Sequence, residues 1–170
     1  MSIPTTKEQI KKAVNYRFRN VDPFEFEEFI AYLYKCKGYH AFATKPTADY
    51  GVDVIANSDN ESIAIQVKRY KTTNSTGSEA IKEIYWGRNH YNCNKAIVIT
   101  TSHFTKYALK SAKKSDVELW DWQRLKKEIA SVKELEVEQR KHLTFGQKID
   151  KVAFKVALVL LTLFSIIATM

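Results

Sequence analysis

Cysteine is nearly absent from this chain: Cys36 and Cys93 are its only thiols, with no CxxC pair and no Cys/His cluster at zinc spacing. That scarcity excludes a disulfide scaffold and a zinc finger, and it suits a reducing compartment. Four histidines, His40, His90, His103 and His142, lie scattered without metal-ligand spacing and read as ordinary polar residues. No basic-then-apolar run opens the chain, so export of its main body by a secretory signal is not expected. Thr100-Thr101-Ser102 offers hydroxyls without an acyl-transfer triad, and a polar strand end capping the next helix is the simpler reading. No internal repeat is present.

With 170 residues, 45% hydrophobic and 12% aromatic, the chain has room for one core plus an appendage rather than two full domains. A net charge of +8 and a pI near 9.4 favour a polyanionic partner, nucleic acid or acidic lipid headgroups, because clustered lysines displace condensed counterions. Residues 152–170 are almost wholly apolar, interrupted by Lys155 and small hydroxyl residues, and show no polar face after Lys155. This run is expected to be a single-pass membrane anchor, although spanning takes about 20 apolar residues and this stretch is borderline. Lys155 can snorkel to the interface, and Lys148 and Lys151 supply the positive cytoplasmic flank. The competing reading is an apolar helix packed in a core or an oligomer.

Asp22-Pro23-Phe24-Glu25 reads as a helix start with a capping box, and the helix is expected to run to about Lys37, stopped by Gly38. Strands are expected at 39–44, 52–56 and 62–68, the last two forming a hairpin around Asn57-Ser58-Asp59-Asn60. After a polar loop at 71–78 the pattern gives a helix at 79–91, with Ile81, Ile84, Tyr85 and Arg88 in line. A buried strand at 96–100, a basic helix at 105–115, a short strand at 117–120 and a charged helix from 123 to about 141 complete the order αβββαβαβα. An early hairpin followed by helix crossovers predicts an α/β fold: a mixed central sheet flanked by helices, with a C-terminal charged helix and an apolar membrane helix.

Alternation along the third strand puts Ile63, Ile65 and Val67 on one face and Ala64, Gln66 and Lys68 on the other. With Val52 and Val54 turned into the core, Asp53 is left on the opposite face, where antiparallel pairing brings it beside Gln66. A carboxylate, an amide oxygen and a lysine at a sheet end suit phosphodiester cleavage. Hard oxygen ligands, namely Asp53, the Gln66 side chain and the Val67 carbonyl, fit Mg²⁺, with Mn²⁺ as the substitute. The metal would activate a water while Lys68 offsets charge on the phosphate.

Phe26-Glu27, Gly38-Tyr39, Asp49-Tyr50-Gly51-Val52-Asp53, Gln66-Val67-Lys68-Arg69-Tyr70 and Ile99-Thr100-Thr101-Ser102-His103-Phe104-Thr105, followed by Ala108 and Ala112, together resemble the Mrr-like family. These are type IV restriction endonucleases of the PD-(D/E)XK nuclease superfamily, in which Gln replaces the first acid of the (D/E)XK motif. The resemblance covers roughly residues 22–129. It implies that Asp53 and Lys68 are the catalytic aspartate and lysine, Gln66 the replaced acid, and Glu27 the helix glutamate completing the metal site. Asp49 and Gly51 match an Asp-x-Gly-x-Asp pattern and are expected to shape the approach to Asp53. Helix geometry places Glu27 at the edge of the apolar stripe, with Glu28 facing away.

Arg69, Lys71, Arg88, Lys106 and Lys110 are candidates for contact with a nucleic-acid backbone, against the plain reading of a solvated basic face. The expected organisation is an N-terminal helical extension (1–21), a nuclease domain (22–130), a charged helical linker (131–151) and the anchor (152–170). Many Mrr-like enzymes carry a recognition domain before the nuclease domain, and 21 residues precede Asp22 here. A separate recognition subunit and a homodimer are therefore both open. The expected function is a metal-dependent DNA endonuclease in restriction or defence, at the inner membrane of a bacterium with its catalytic domain cytoplasmic. The alternative is a membrane-tethered nucleic-acid-binding module without turnover.

Overall fold

In the computed structural model, residue 4, residues 7–44 and residues 50–132 are described. Helix α1 (Lys7–Asn15) leads into α2 (Pro23–Cys36), whose start is the expected capping box. The Asp22 side chain accepts from the Phe24 amide at 2.9 Å, and the Glu25 carboxylate accepts from the Asp22 amide at 3.2 Å. Satisfying these otherwise orphaned donors stabilises the helix by about 1 kcal/mol. Phe26, Phe29, Ile30, Ala31, Leu33 and Tyr34 form its buried face.

Strands β1 (His40–Ala43), β2 (Val54–Asn57) and β3 (Ser62–Lys68) form an antiparallel meander. Helix α3 (Ser78–His90) then crosses to β5 (Lys95–Thr100), and α4 (Lys106–Ser115) to β7 (Glu118–Trp120), both parallel to β3. The sheet order is β1-β2-β3-β5-β7. The expected mixed α/β class is thus observed. A two-residue parallel ribbon, β4 (Ser75–Thr76) with β6 (His103–Phe104), has no counterpart in the sequence reading. A helix, α5, runs from 122 to the end of the described residues at 132.

Each sheet face carries its own core. On the first, Val54, Ile63, Ile65, Val67, Ile97, Ile99 and Trp120 meet α1, α2 and α5. On the second, Ile55, Ala64, Ala96 and Val98 meet α3 and α4. Gln66 and Lys68 share the second face with Ala64 by strand alternation, as expected. The apolar run 152–170 and residues 133–151 of the linker before it lie outside the described residues. Among the described residues no helix is long and apolar enough to cross a membrane.

Candidate active site

The site sits at the carboxyl end of β3. The expectation that Val52 and Val54 share a face is not met: Val52 joins the second core and Val54 the first. The cause is a bend at Asp53. Register pairs Val54 with Ile65, which sets Asp53 opposite Gln66, yet the Asp53 amide donates to the Ile65 carbonyl, one residue behind, at 2.9 Å. Such an offset is how a bulge re-aims a side chain. The Asp53 carboxylate now accepts from the Val67 amide at 2.5 Å, taking the place of the next ladder bond. Thr44 fixes this bend from the other side, its amide donating to the Asp53 carbonyl at 2.9 Å and its hydroxyl to the Val52 carbonyl at 2.5 Å. Ile65 and Val67 both turn their backbone groups toward Asp53, so strand alternation puts the Val67 carbonyl on that same edge, beyond the end of β2.

Gln66 is 1% exposed. Its Nε2 donates to Glu83 Oε2 at 2.6 Å. Only the amide nitrogen can donate to a carboxylate, so this bond fixes the flip of the amide and sends Oε1 to the other side. Gln66 Oε1 is buried and, among the described residues, accepts no hydrogen bond. An orphaned buried acceptor costs about 1–3 kcal/mol, which makes it a ready ligand for a cation. The Lys68 ammonium reaches the same Glu83 oxygen at 3.2 Å. Burial alone would raise the Glu83 carboxyl; the Gln66 hydrogen bond and the Lys68 charge outweigh it and hold that carboxyl below its usual range.

Glu83 is the residue that sequence reasoning missed. The buried stripe of α3 is Ala80, Ile81, Ile84 and Gly87 rather than the expected line through Tyr85 and Arg88. Tyr85 is 36% exposed. The signal available was the small residues Ala80 and Gly87, three before and four after Glu83, which put that glutamate on the sheet-facing side. Gly51 matters for the same reason: with φ of +74°, a Cβ there would lie 2.8 Å from Glu83 Cβ and 3.1 Å from Gln66 Nε2.

Glu27 lies half-buried on α2, which covers the first face, whereas Gln66 and Lys68 point to the second. Glu28 is equally half-buried and lines a depression with Ala31, Lys35 and Phe42, so it does not face away as expected. Asp49 lies outside the described residues. Among the five basic candidates, Arg69 and Lys71 follow β3 directly at the site's edge, and Lys106 and Lys110 are exposed on α4. Arg88 donates to the Asp116 carbonyl at 3.4 Å, just before β7 begins, and so belongs to the opposite edge of the sheet.

Among the described residues no three His, Cys, Asp or Glu side chains gather as a metal cluster. The donor set at hand is instead one carboxylate, one orphaned amide oxygen and one backbone carbonyl. That set fits a hard divalent cation that retains several waters.

A mixed sheet whose hairpin brings an aspartate, a glutamine and a lysine to one strand end is a restriction-endonuclease-like arrangement. Residues 18–129 match the family model Mrr_cat, restriction endonuclease, and the chain belongs to that family. Such domains generally use divalent metal ions. No curated protein matches the chain. Among solved structures, the fold is similar to a protein of unknown function, AF1548, at TM-score 0.52 and 19% identity, covering 59% of each chain. It is also similar to the DNA modification-dependent restriction endonuclease AspBHI at TM-score 0.51 and 20% identity, covering 72% of this chain and 35% of that one.

Proposed function

We propose that this chain is a divalent-metal-dependent endonuclease that hydrolyses DNA phosphodiesters in restriction or defence, acting from the inner face of a bacterial membrane to which residues 152–170 tether it. The observation that carries the reading is Gln66 Oε1, buried and without a partner among the described residues, on the strand position opposite Asp53 in a chain of the restriction endonuclease family. Asp53, Gln66 Oε1 and the Val67 carbonyl would hold the metal, Mg²⁺ or Mn²⁺, with Glu27 as a further ligand. Bound there, the metal would supply an activated water and polarise the phosphoryl oxygen.

The chain's own groups do the rest. The Val67 amide holds the Asp53 carboxylate at the strand end. Glu83 takes the Gln66 amide nitrogen, which leaves the amide oxygen to the metal, and steadies the Lys68 ammonium. Lys68 then stands as a fixed donor for a non-bridging phosphate oxygen, where negative charge grows during cleavage.

Nicking of supercoiled plasmid by the purified full-length chain tests this, with Mg²⁺, with Mn²⁺ and with EDTA. Metal-dependent nicking should fall by about 10²–10³-fold in Lys68→Ala and at least as far in Asp53→Ala. DNA binding that persists in a wild-type chain unable to cut under any metal would favour the binding module instead. Membrane fractionation of the full chain against one ending at Asp150 tests the tether: equal solubility of the two would end that part of the proposal.

A further inference from the structure

Residues 16–21, between α1 and α2, form a strap whose backbone takes an unusual course. Arg17 and Phe18 both sit in the left-handed region, at φ of 49° and 57°, where glycine or asparagine is normally found. Two things hold it there. The Phe18 amide donates to the Ala13 carbonyl at 2.7 Å and the Arg17 amide to Val14 at 3.0 Å, which closes the end of α1. The Phe18 ring is fully buried against Phe26 and Phe29, at 4.7 and 4.8 Å between centroids, and edge-on to Trp122 at 6.5 Å.

Driving Phe18 inward turns its two neighbours outward. Arg17 lies over the Trp122 ring at 5.2 Å, and Lys126 lies 5.7 Å from the same ring centre. Arg19 donates to the Thr72 hydroxyl at 3.3 Å, and Arg69 donates to the Arg19 carbonyl at 3.3 Å. Arg69 Nε is buried and has no partner among the described residues.

None of Arg17, Arg19, Arg69 and Lys126 makes an ion pair among the described residues. Elsewhere Lys37, Lys68, Lys82, Lys95 and Arg124 all have a carboxylate within reach. Cations that make no ion pair among the described residues are available to an anionic partner. Their place identifies the partner. Arg69 is the residue after Lys68, Thr72 lies in the loop leaving β3, and Trp122 follows β7 with its amide on the Ser102 carbonyl just past β5. The strap therefore lies along the carboxyl edge of the parallel strands, the edge that holds Asp53, Gln66 and Lys68.

We propose that this strap is a phosphate clamp: Arg17 and Arg19, with Arg69 and Lys126, bind the sugar-phosphate backbone of the nucleic acid a few nucleotides away from the bond held at Lys68. The clamp rests on the nuclease reading for its substrate, but it is a binding site in its own right. A basic track that starts at the candidate site and continues along one sheet edge offers several cations in succession to a polyanionic strand.

The test is equilibrium binding of the full chain to a fluorescein-labelled DNA duplex in EDTA, without divalent metal, across a series of KCl concentrations. The Arg17→Gln/Arg19→Gln double variant keeps Phe18, and its melting curve reports whether the fold is intact. Its affinity should fall about tenfold near 0.15 M salt, and the slope of log K against log salt should flatten by about 2 units. Arg19→Lys should keep the slope, and Lys113→Gln/Lys114→Gln at the far end of α4 should match wild type. A folded double variant with unchanged slope and affinity overturns the clamp. So does a double variant that loses binding to phosphatidylglycerol vesicles while holding DNA as before. Cleavage plays no part in this readout, so a chain that cuts nothing yet shows the flattened slope retains the clamp and loses only the nuclease reading.

Discussion

The two faces of the sheet are built from different materials. On the first, Phe18, Phe26, Phe29, Tyr34, Trp120 and Trp122 fill the space under α1, α2 and α5. On the second, aliphatic Ile55, Ile81, Ile84 and Val98 pack among Ala64, Ala80, Ala96, Ala108 and Ala112, with Gly87 at the closest approach. Large rings bury much apolar area and hold the fold. Small residues bury less, but they let α3 come close enough for Glu83 to reach Gln66 and Lys68. The first face is the aromatic core, and the second, with its small residues, brings Glu83 to Gln66 and Lys68.

The sharpest way to break that division is to damage the first face alone. Phe29→Ala removes a ring that is 1% exposed and should cost about 3–5 kcal/mol, read as a shift in urea midpoint. Below its melting temperature, and at DNA concentrations that saturate binding through the Phe18 strap, the variant should still nick plasmid at a wild-type rate. A large loss of activity in the folded variant would mean that the two faces are not separable. The second face should respond in the opposite sense to Gly87→Ala. The added Cβ would stand 2.4 Å from Val52 Cγ2 and 2.6 Å from the Tyr50 carbonyl oxygen, so α3 or the 50–52 segment has to shift. We expect a cost of about 1–3 kcal/mol, with a proportionally greater loss of cleavage than Phe29→Ala shows. Asp22→Ala, which removes the cap of α2 on the first face, should cost about 1 kcal/mol and leave cleavage unchanged.

Legibility in the sequence divides along the same line. The capping box at Asp22, the hairpin and the uninterrupted strand at β5 were all readable because each is local: a cap, a turn or an apolar run. Alternation also assigned Gln66 and Lys68 to one face correctly. Asp53 was placed beside Gln66, but by a wrong route, because simple alternation contains no bulge and put Val52 and Val54 together. Glu83 was not readable as part of the site. A stripe drawn through the bulky residues of α3 follows Tyr85 and Arg88, whereas the close contact runs through Ala80 and Gly87. The strap was missed for a related reason: two consecutive left-handed residues carrying Arg and Phe are imposed by tertiary packing of Phe18, and no propensity announces them.

The smallest effect we predict concerns Glu83 and pH. Its carboxyl is held below the usual range in the folded chain, so the unfolded chain binds that proton more readily. The resulting stability is complete above the ordinary carboxylate range and is lost as pH falls through the folded value. Glu83→Gln keeps a hydrogen-bond acceptor for Gln66 and Lys68 but removes the titration. The difference in urea midpoint between wild type and Glu83→Gln should therefore hold constant from pH 7 down to about pH 5 and narrow below that. Other carboxylates titrate in both proteins and cancel in the difference. A difference that widened on acidification would mean that burial, not Lys68 and Gln66, dominates at Glu83. The second face would then be carrying a buried acid at the site without the charge pairing described for it.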